Sequence, residues 1–385
     1  MPQNERLHPG APADGKATPR EALDPGEAFD PGEAFDQRLR ATLRDLGSDR
    51  RSTSRDLVIE TSEALREWVL ETGDEWTWDA AGSALEAELA PFLVEQEWRG
   101  TVALWIDSLR RAFHHGRNRS LPEPRIVLAE ELGLWIWDPT GVAGLEECNA
   151  EWNGEPSSPA RRLPRREDCA SAAAATLESG EVVLLDGYSE TLALALVEAW
   201  RRGKQPSAVI GESLPHLEGR RMARRLVSQG IPVTLCYDAA LVARVPSADR
   251  VWLSTESLGV AGFLGRAGTN TLLEECERRD VPAALLATSD KLVPGGDAAI
   301  PAWPERAPWL LWDDAPAGVR LESQYLELVS HALVGDLFTE HGREPFAALA
   351  LRALRTEPAP RCDVAAPLDS SSATYAGDRA RARVR

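Results

Sequence analysis

The sequence predicts an α/β fold with a mainly parallel, Rossmann-like sheet, preceded by a helical N-terminal domain. Three observations carry this. From Asp168 onward, short apolar runs alternate with segments of helical pattern, as in a parallel sheet covered by helices. Several of these runs end on a small or acidic residue, which is where such a sheet presents side chains to a ligand. Between residues 36 and 115, apolar residues recur at helical spacing.

The elements follow in order. Residues 1–35 are rich in Pro, Gly, Ala and charge and repeat D-P-G-E-A-F at 24–29 and 30–35. Pro-Gly in each copy blocks a continuous helix, so a disordered tail is expected. In the helical domain, 36–115, Leu39, Leu43 and Leu46 recur at i, i+4, i+7, and Arg55–Thr72 places Leu57, Val58, Leu65, Trp68 and Val69 on one side. Segments Ala84–Glu95 and Thr101–Phe113 continue the pattern. Residues 116–167 read as a linker or insertion, with R-I-V-L and L-W-I-W as strands. The α/β domain, 168–345, runs as follows: helix Cys169–Ser179, strand 181–186, helix Ser189–Arg202, strand S-A-V-I-G, helix His216–Gln229, strand P-V-T-L-C, a short helix after Asp238, strand V-W-L-S-T, helix Gly268–Arg279 and strand A-A-L-L-A-T. The short crossovers fit right-handed βαβ units. A strand at W-L-L-W (309–312) and a helix over Leu326–Thr339 complete it. The C-terminal extension, 346–385, turns polar and is expected to be disordered from about 356.

Composition narrows the function classes. The chain has 385 residues and 43% hydrophobic residues, enough for a sizeable core. Its net charge of −18 argues against non-specific nucleic-acid binding, although a local basic pocket for a phosphate is compatible with it. No apolar run approaches a membrane span, and the first ten residues lack a secretory h-region, so the expected location is the cytoplasm. The five cysteines are scattered, without C-x-x-C or zinc spacing, and read as reduced thiols; Cys236 reads as a buried strand residue. No metal or cofactor is expected. No G-x-G-x-x-G follows a strand, which disfavours a dinucleotide enzyme, and no Ser-His-Asp elbow is present.

Six pieces in register then carry a resemblance. They are L-L-D-G-Y-S-E-T-L (184–192), G-E-S-L-P-H-L-E-G-R (211–220), I-P-V-T-L-C-Y-D-A-A, S-T-E (254–256), G-R-A-G-T (265–269), and Y-L-E-L-V with F-T-E-H-G near the end. Together they resemble the initiation factor 2B alpha/beta/delta subunits and the related ribose-1,5-bisphosphate and methylthioribose-1-phosphate isomerases. For the isomerases the resemblance implies a proton-moving thiol after the first strand and an aspartate near the sugar hydroxyls. The thiol position holds Gly187, which cannot take a proton, and the flanking Thr and His are Leu185 and Asp186. The aspartate position holds Glu256. The regulatory subunits also tend to carry Glu there, and a Tyr-Ser pair like Tyr188-Ser189. The arginine expected in the second piece is Leu214, which removes a bidentate phosphate contact. The Asn-Lys pair is replaced by Gly265-Arg266.

Candidate residues follow from this pattern. Glu256 and Asp186 are the candidate proton-transfer groups. Arg51, Tyr188, Ser189, Glu212, Ser213, Glu218, Gly219, Arg266, Gly268 and Thr269 are the candidate contacts to a phosphorylated sugar or nucleotide. The phosphate is expected near the start of the helix at Gly268, with Arg266 and Arg51 as counter-charges. Bland roles compete at several positions. Asp238 can cap the helix it starts; Glu212 and Ser213 can fix a loop; Gly219 and Gly268 can serve tight packing; Ser52, Thr53 or Ser54 can cap the following helix. Two function classes stand: a non-catalytic or regulatory binding protein on an isomerase-like scaffold, and an aldose–ketose isomerase that uses Glu256 with another base such as Asp186. A homodimer is expected, with Trp252, Leu253, Phe263 and Leu264 in or beside the strand and loop that would meet the partner.

Overall fold

A computed structural model describes residues 31–49, 52–71, 76–119, 121, 123–136, 163–296, 311–354 and 358–362. Five helices form the N-terminal domain: α1 (Pro31–Ser48), α2 (Ser54–Glu71), α3 (Trp78–Gln96), α4 (Gly100–Asn118) and α5 (Pro124–Ile136). Pro31 stands at the first position of α1, where its missing N–H costs nothing, so the second hexamer repeat enters a helix rather than a tail. Thr53 precedes α2, and its hydroxyl and backbone N–H both meet the Asp56 carboxylate, a capping box. The core between these helices is aromatic and leucine-rich, with Trp105, Trp135, Phe92 and Phe113 fully enclosed. The indole N–H groups of Trp105 and Trp135 donate to Ser62 and Ser108 at 2.9 Å, so neither is buried without a partner.

Two expectations for the flanks are corrected. R-I-V-L and most of L-W-I-W lie on α5, not on strands. A four-residue apolar run cannot distinguish a buried helix from a strand; here Leu128, Leu132 and Trp135 recur at helical spacing and are buried. Residues 358–362 are also ordered, past the point where disorder is expected to begin. The backbone N–H groups of Ala359 and Cys362 donate to Asp107 and Glu86, and Cys362 is buried in the helical core.

The α/β domain begins with α6 (Arg166–Ala175) and β1 (Val182–Leu185). It continues through α7 (Glu190–Arg201), β2 (Ser207–Gly211), α8 (Glu218–Val227), β3 (Val233–Cys236), α9 (Leu241–Arg244) and β4 (Arg250–Leu253). Then come β5 (Gly262–Arg266), α10 (Thr269–Arg279), β6 (Ala283–Leu286), β7 (Leu326–Ser330), β8 (Asp336–Thr339), β9 (Gly342–Glu344) and α11 (Phe346–Leu354). The main sheet has the order β3-β2-β1-β4-β6-β8-β9, parallel except for the last pair. β5 and β7 form a separate antiparallel ribbon. Apolar clusters line both faces of the sheet. The strand order reverses between β1 and β4, so their carboxyl ends open the crevice where α/β sheets bind ligands.

The expected helix over Leu326–Thr339 is instead β7, a single 3-10 turn and β8. Its apolar spacing looks helical, but Val329 pairs with Phe263 while Leu337 and Phe338 close the sheet beside β6. The expected strand at 309–312 is absent at its described end: Leu311 lies in a turn and Trp312 has no regular structure. Trp252, Leu253, Phe263 and Leu264 are buried within the protomer, so they fill its core and are not a surface awaiting a partner. Residues 1–30, 137–162 and 363–385, with the expectations placed on them, lie outside the described residues.

Candidate functional site

A pocket sits at the crevice between β1 and β4, roofed by the start of α2, the turn before α4 and the start of α6. Its floor is built by strand ends. Asp186 follows β1 and accepts a hydrogen bond from the Thr269 hydroxyl at 3.0 Å, at the head of α10. Burial pushes the Asp186 carboxyl above its ordinary range, against the opposing pull of Arg266 and Thr269. Arg266, at the end of β5, is ion-paired with Glu218 on α8.

Gly187 explains the missing thiol in physical terms. Its φ is +94°, a left-handed conformation that favours glycine. A Cβ built there would lie 2.6 Å from Arg266 Nε. The guanidinium therefore occupies the space that a side chain at position 187 would enter.

Glu256 follows β4 and is bound from two sides. Its carboxylate accepts from Lys291 Nζ at 2.7 Å and from the Ser54 hydroxyl. Burial alone would raise its pKa, but Lys291, with Arg99 and Arg166 nearby, holds the carboxyl below its usual range. These contacts also join the two domains. The Gly100 N–H donates to the Glu256 carbonyl at 2.8 Å, and the Thr101 hydroxyl meets Asp290 at 2.8 Å. A Cβ at Gly100 would lie 1.8 Å from the Lys291 carbonyl oxygen, so α4 approaches the strand ends at backbone distance.

The other expected residues divide. Tyr188 lines the pocket; its hydroxyl donates to Glu190 at 2.6 Å and its ring lies 4.0 Å under the Arg221 guanidinium. Burial, then Glu190, raises the phenol pKa. Ser189 lines the pocket but its side chain caps α7, accepting from the Leu192 N–H at 3.4 Å. Glu218 and Thr269 line it as well. Glu212 and Ser213 do not. Glu212 is turned to Arg220 at 2.7 Å, and the Ser213 hydroxyl to the Gly211 carbonyl. Asp238 does not cap its own helix; its carboxylate receives the Ser213 and Leu214 N–H groups at 2.7 and 2.8 Å and so fixes the loop after β2.

Gly219 is a packing glycine, since a Cβ there would meet the Gly211 carbonyl oxygen at 1.7 Å. Gly268, at φ +102°, heads α10, but the expected phosphate position is already filled. The Glu327 carboxylate on β7 accepts from the Gly268 and Asn270 N–H groups at 3.1 and 2.7 Å. β7 pairs with β5, which places Glu327 opposite Gly265 and beside the helix start. Arg51 lies outside the described residues.

Sequence reasoning missed Arg99, Arg166, Ser54 and Lys291, all but Ser54 in the pocket lining. Lys291 carried a signal: it is one of three lysines in a chain whose other basic residues are arginines. Arg99 and Arg166 carried none, because they reach the site from the helical domain and from α6.

Residues 160–342 match the Initiation factor 2 subunit family. The resemblance read from the motifs therefore holds for the α/β half of the chain. Among curated relatives, a ribose 1,5-bisphosphate isomerase of Haloterrigena turkmenica is 28% identical over 191 residues, covering 46% of this chain and 58% of the relative. The isomerase of Haloferax volcanii is 33% identical over 137 residues, 35% of this chain and 42% of the relative. An eIF-2B subunit 2-like protein of Pyrococcus furiosus is 30% identical over 127 residues, 33% of this chain and 46% of the relative. The chain thus spans about half the length of these relatives. The solved eIF-2B of Pyrococcus horikoshii OT3 matches with a TM-score of 0.56 at 18% identity, covering 80% of this chain and 96% of the other. The tetrameric eIF2B-beta2-delta2 complex of C. thermophilum matches with a TM-score of 0.55 at 15% identity, over 84% and 95%. Both show the same fold, including the helical N-terminal region.

Proposed function

We propose that this chain is an initiation factor 2B-like protein of the cytoplasm that binds a sugar phosphate or nucleotide in the crevice without converting it. One observation carries the reading: the position where the related isomerases are expected to hold a thiol is Gly187, and the Arg266 guanidinium fills the space beside it. Glu256 supports it. A carboxylate held by Lys291 and Ser54 and kept ionised is a poor proton donor, and it is engaged in joining the domains. Binding is tested by thermal unfolding of the purified chain with ribose 5-phosphate or AMP. A ligand at about 100 times its Kd stabilises a protein by about 2.7 kcal/mol, an easily read rise in Tm. No shift with either compound at millimolar concentration refutes the binding reading.

A second reading, an aldose–ketose isomerase, draws on one feature. Burial raises the Asp186 pKa while Lys291 keeps that of Glu256 low, and two carboxylates with opposed shifts form an acid–base pair. Turnover of ribose 1,5-bisphosphate or methylthioribose 1-phosphate that is abolished by both Asp186→Asn and Glu256→Gln would establish it. Self-association belongs to the proposal too. Light scattering at micromolar concentration should report at least a homodimer, and a monomer would contradict this. Because the four apolar residues named for that contact are core residues, another surface must supply it.

A further inference from the structure

Groups able to receive an anion cluster around the pocket, and the chain's own carboxylates already occupy most of them. Before α2, the Ser52 N–H donates to Asp49 at 3.1 Å and the Thr53 N–H to Asp56 at 3.2 Å. At the head of α10, two N–H groups are taken by Glu327. Arg266 is paired with Glu218, and Lys291 with Glu256. Two cations of the lining stand apart. Arg99 and Arg166 form no direct ion pair with a carboxylate among the described residues, although both act on Glu256 from a distance; they donate to the Ser52 carbonyl at 3.0 Å and to the Thr53 hydroxyl at 3.3 Å. Arg99 is only 5% exposed, and its Nε has no hydrogen-bond partner. A buried guanidinium with an unfilled donor is costly, and a bound phosphate oxygen removes that cost.

We propose that the ligand of this pocket carries a single phosphate, seated on Arg99 and Arg166, and that the carboxylates already in place exclude a second. The proposal rests on the binding reading above and adds the ligand class to it. One phosphate brings acceptor oxygens that suit the donors of two guanidinium groups. A second phosphate at the far end would have to displace Glu218 from Arg266 or Glu327 from α10. It would also face Asp186 and Glu190 across the same lining. Leu214 stands where the resemblance expects an arginine, so that loop adds no compensating charge. The far end, with Asp186, Glu218 and the Tyr188 hydroxyl, suits the hydroxyl groups of a sugar. A ribose monophosphate fits this description, and ribose 1,5-bisphosphate does not.

The test is calorimetric titration of the full chain with ribose 5-phosphate and, separately, ribose 1,5-bisphosphate. The monophosphate should bind at least tenfold more tightly. Arg166→Gln should weaken monophosphate binding at least tenfold; this residue is partly exposed, so the variant is less exposed to folding failure than one at Arg99. Glu218→Gln should narrow the preference for the monophosphate by about tenfold. A bisphosphate that binds as tightly or more tightly, or an Arg166→Gln protein that binds ribose 5-phosphate like the wild type, overturns the single-phosphate proposal while the binding reading stands. Absence of binding by both compounds overturns the single-phosphate proposal, and a failed AMP melt beside it overturns the binding reading as well.

Discussion

Restoring a thiol at position 187 is the sharpest perturbation of this site, and the structure says it will damage the protein. In Gly187→Cys the new side chain must adopt a φ of +94°, which costs about 1–2 kcal/mol for an L-residue. Its Cβ must also clear Arg266, whose Nε, Nη2 and Cζ lie 2.6, 3.1 and 3.2 Å from the built position. Displacing Arg266 from Glu218 to make room breaks a charged hydrogen bond worth about 1.5–3 kcal/mol, which sets the upper part of the loss. The combined loss is about 2.5–5 kcal/mol, which for a domain of this size lowers Tm by roughly 5–20 °C. Gly180→Cys is the control, because Gly180 has a φ of +81° with nothing within 4 Å of its built Cβ. It should lose only the conformational part. Adding Arg266→Ala to Gly187→Cys should recover part of the loss, since the obstruction is then gone. Thermal and denaturant melts of the four proteins decide. Equal destabilisation at 187 and 180, or no recovery in the double variant, would refute the reasoning.

Three further outcomes are expected. Glu256→Gln should destabilise the chain by about 1–3 kcal/mol at neutral pH, toward the lower end because the Glu256 side chain keeps 38% exposure. Its folded pKa lies below the ordinary 4.5, so its contribution is present above that value and is lost as pH falls through the folded pKa; wild type and variant should converge in acid melts. Asp186 works in the opposite sense: its folded pKa is raised, so its ionised form costs stability above that pKa. Asp186→Asn should therefore melt higher than wild type at pH 8, with the gain shrinking as pH falls. Gly100→Ala forces a methyl to within 1.8 Å of the Lys291 carbonyl oxygen and should loosen the contact between the domains, read as faster proteolysis between them than in wild type.

The sequence disclosed the sheet well because parallel strands buried on both faces read as continuous apolar runs. V-V-L-L, S-A-V-I-G and A-A-L-L each became a strand at the place expected. It disclosed the flanks poorly where periodicity is ambiguous. Leu326–Thr339 reads as helical, yet its hydrogen bonds go to β5 and β6, which local spacing cannot reveal. At the site, Asp186, Tyr188, Glu218, Glu256, Arg266 and Thr269 were legible because they end strands or begin helices at the crevice. Glu212 and Ser213 sit in the same motif but fall in the loop after β2, which Asp238 fixes so that their side chains are turned to Arg220 and to the backbone. Glu327 occupies the helix start expected to receive a phosphate, because strand pairing brings it there from 57 residues away. Arg99 and Arg166 enter from outside the motifs, and only the docking of the helical domain and α6 over the crevice makes them part of it.

The claim that matters most is that this crevice binds without converting, and turnover tests it most directly. Purified chain is incubated with carbon-13-labelled ribose 1,5-bisphosphate and, in parallel, methylthioribose 1-phosphate, and the sugar carbons are followed by NMR. With Gly187 beside Arg266 and Glu256 held by Lys291, the aldose resonances should persist with no ketose carbonyl over many hours. Proton transfer by a positioned group is worth about 10²–10⁴-fold, so its loss is readily seen. Ketose accumulation by the wild type that disappears in Glu256→Gln would contradict the account and make the protein an isomerase.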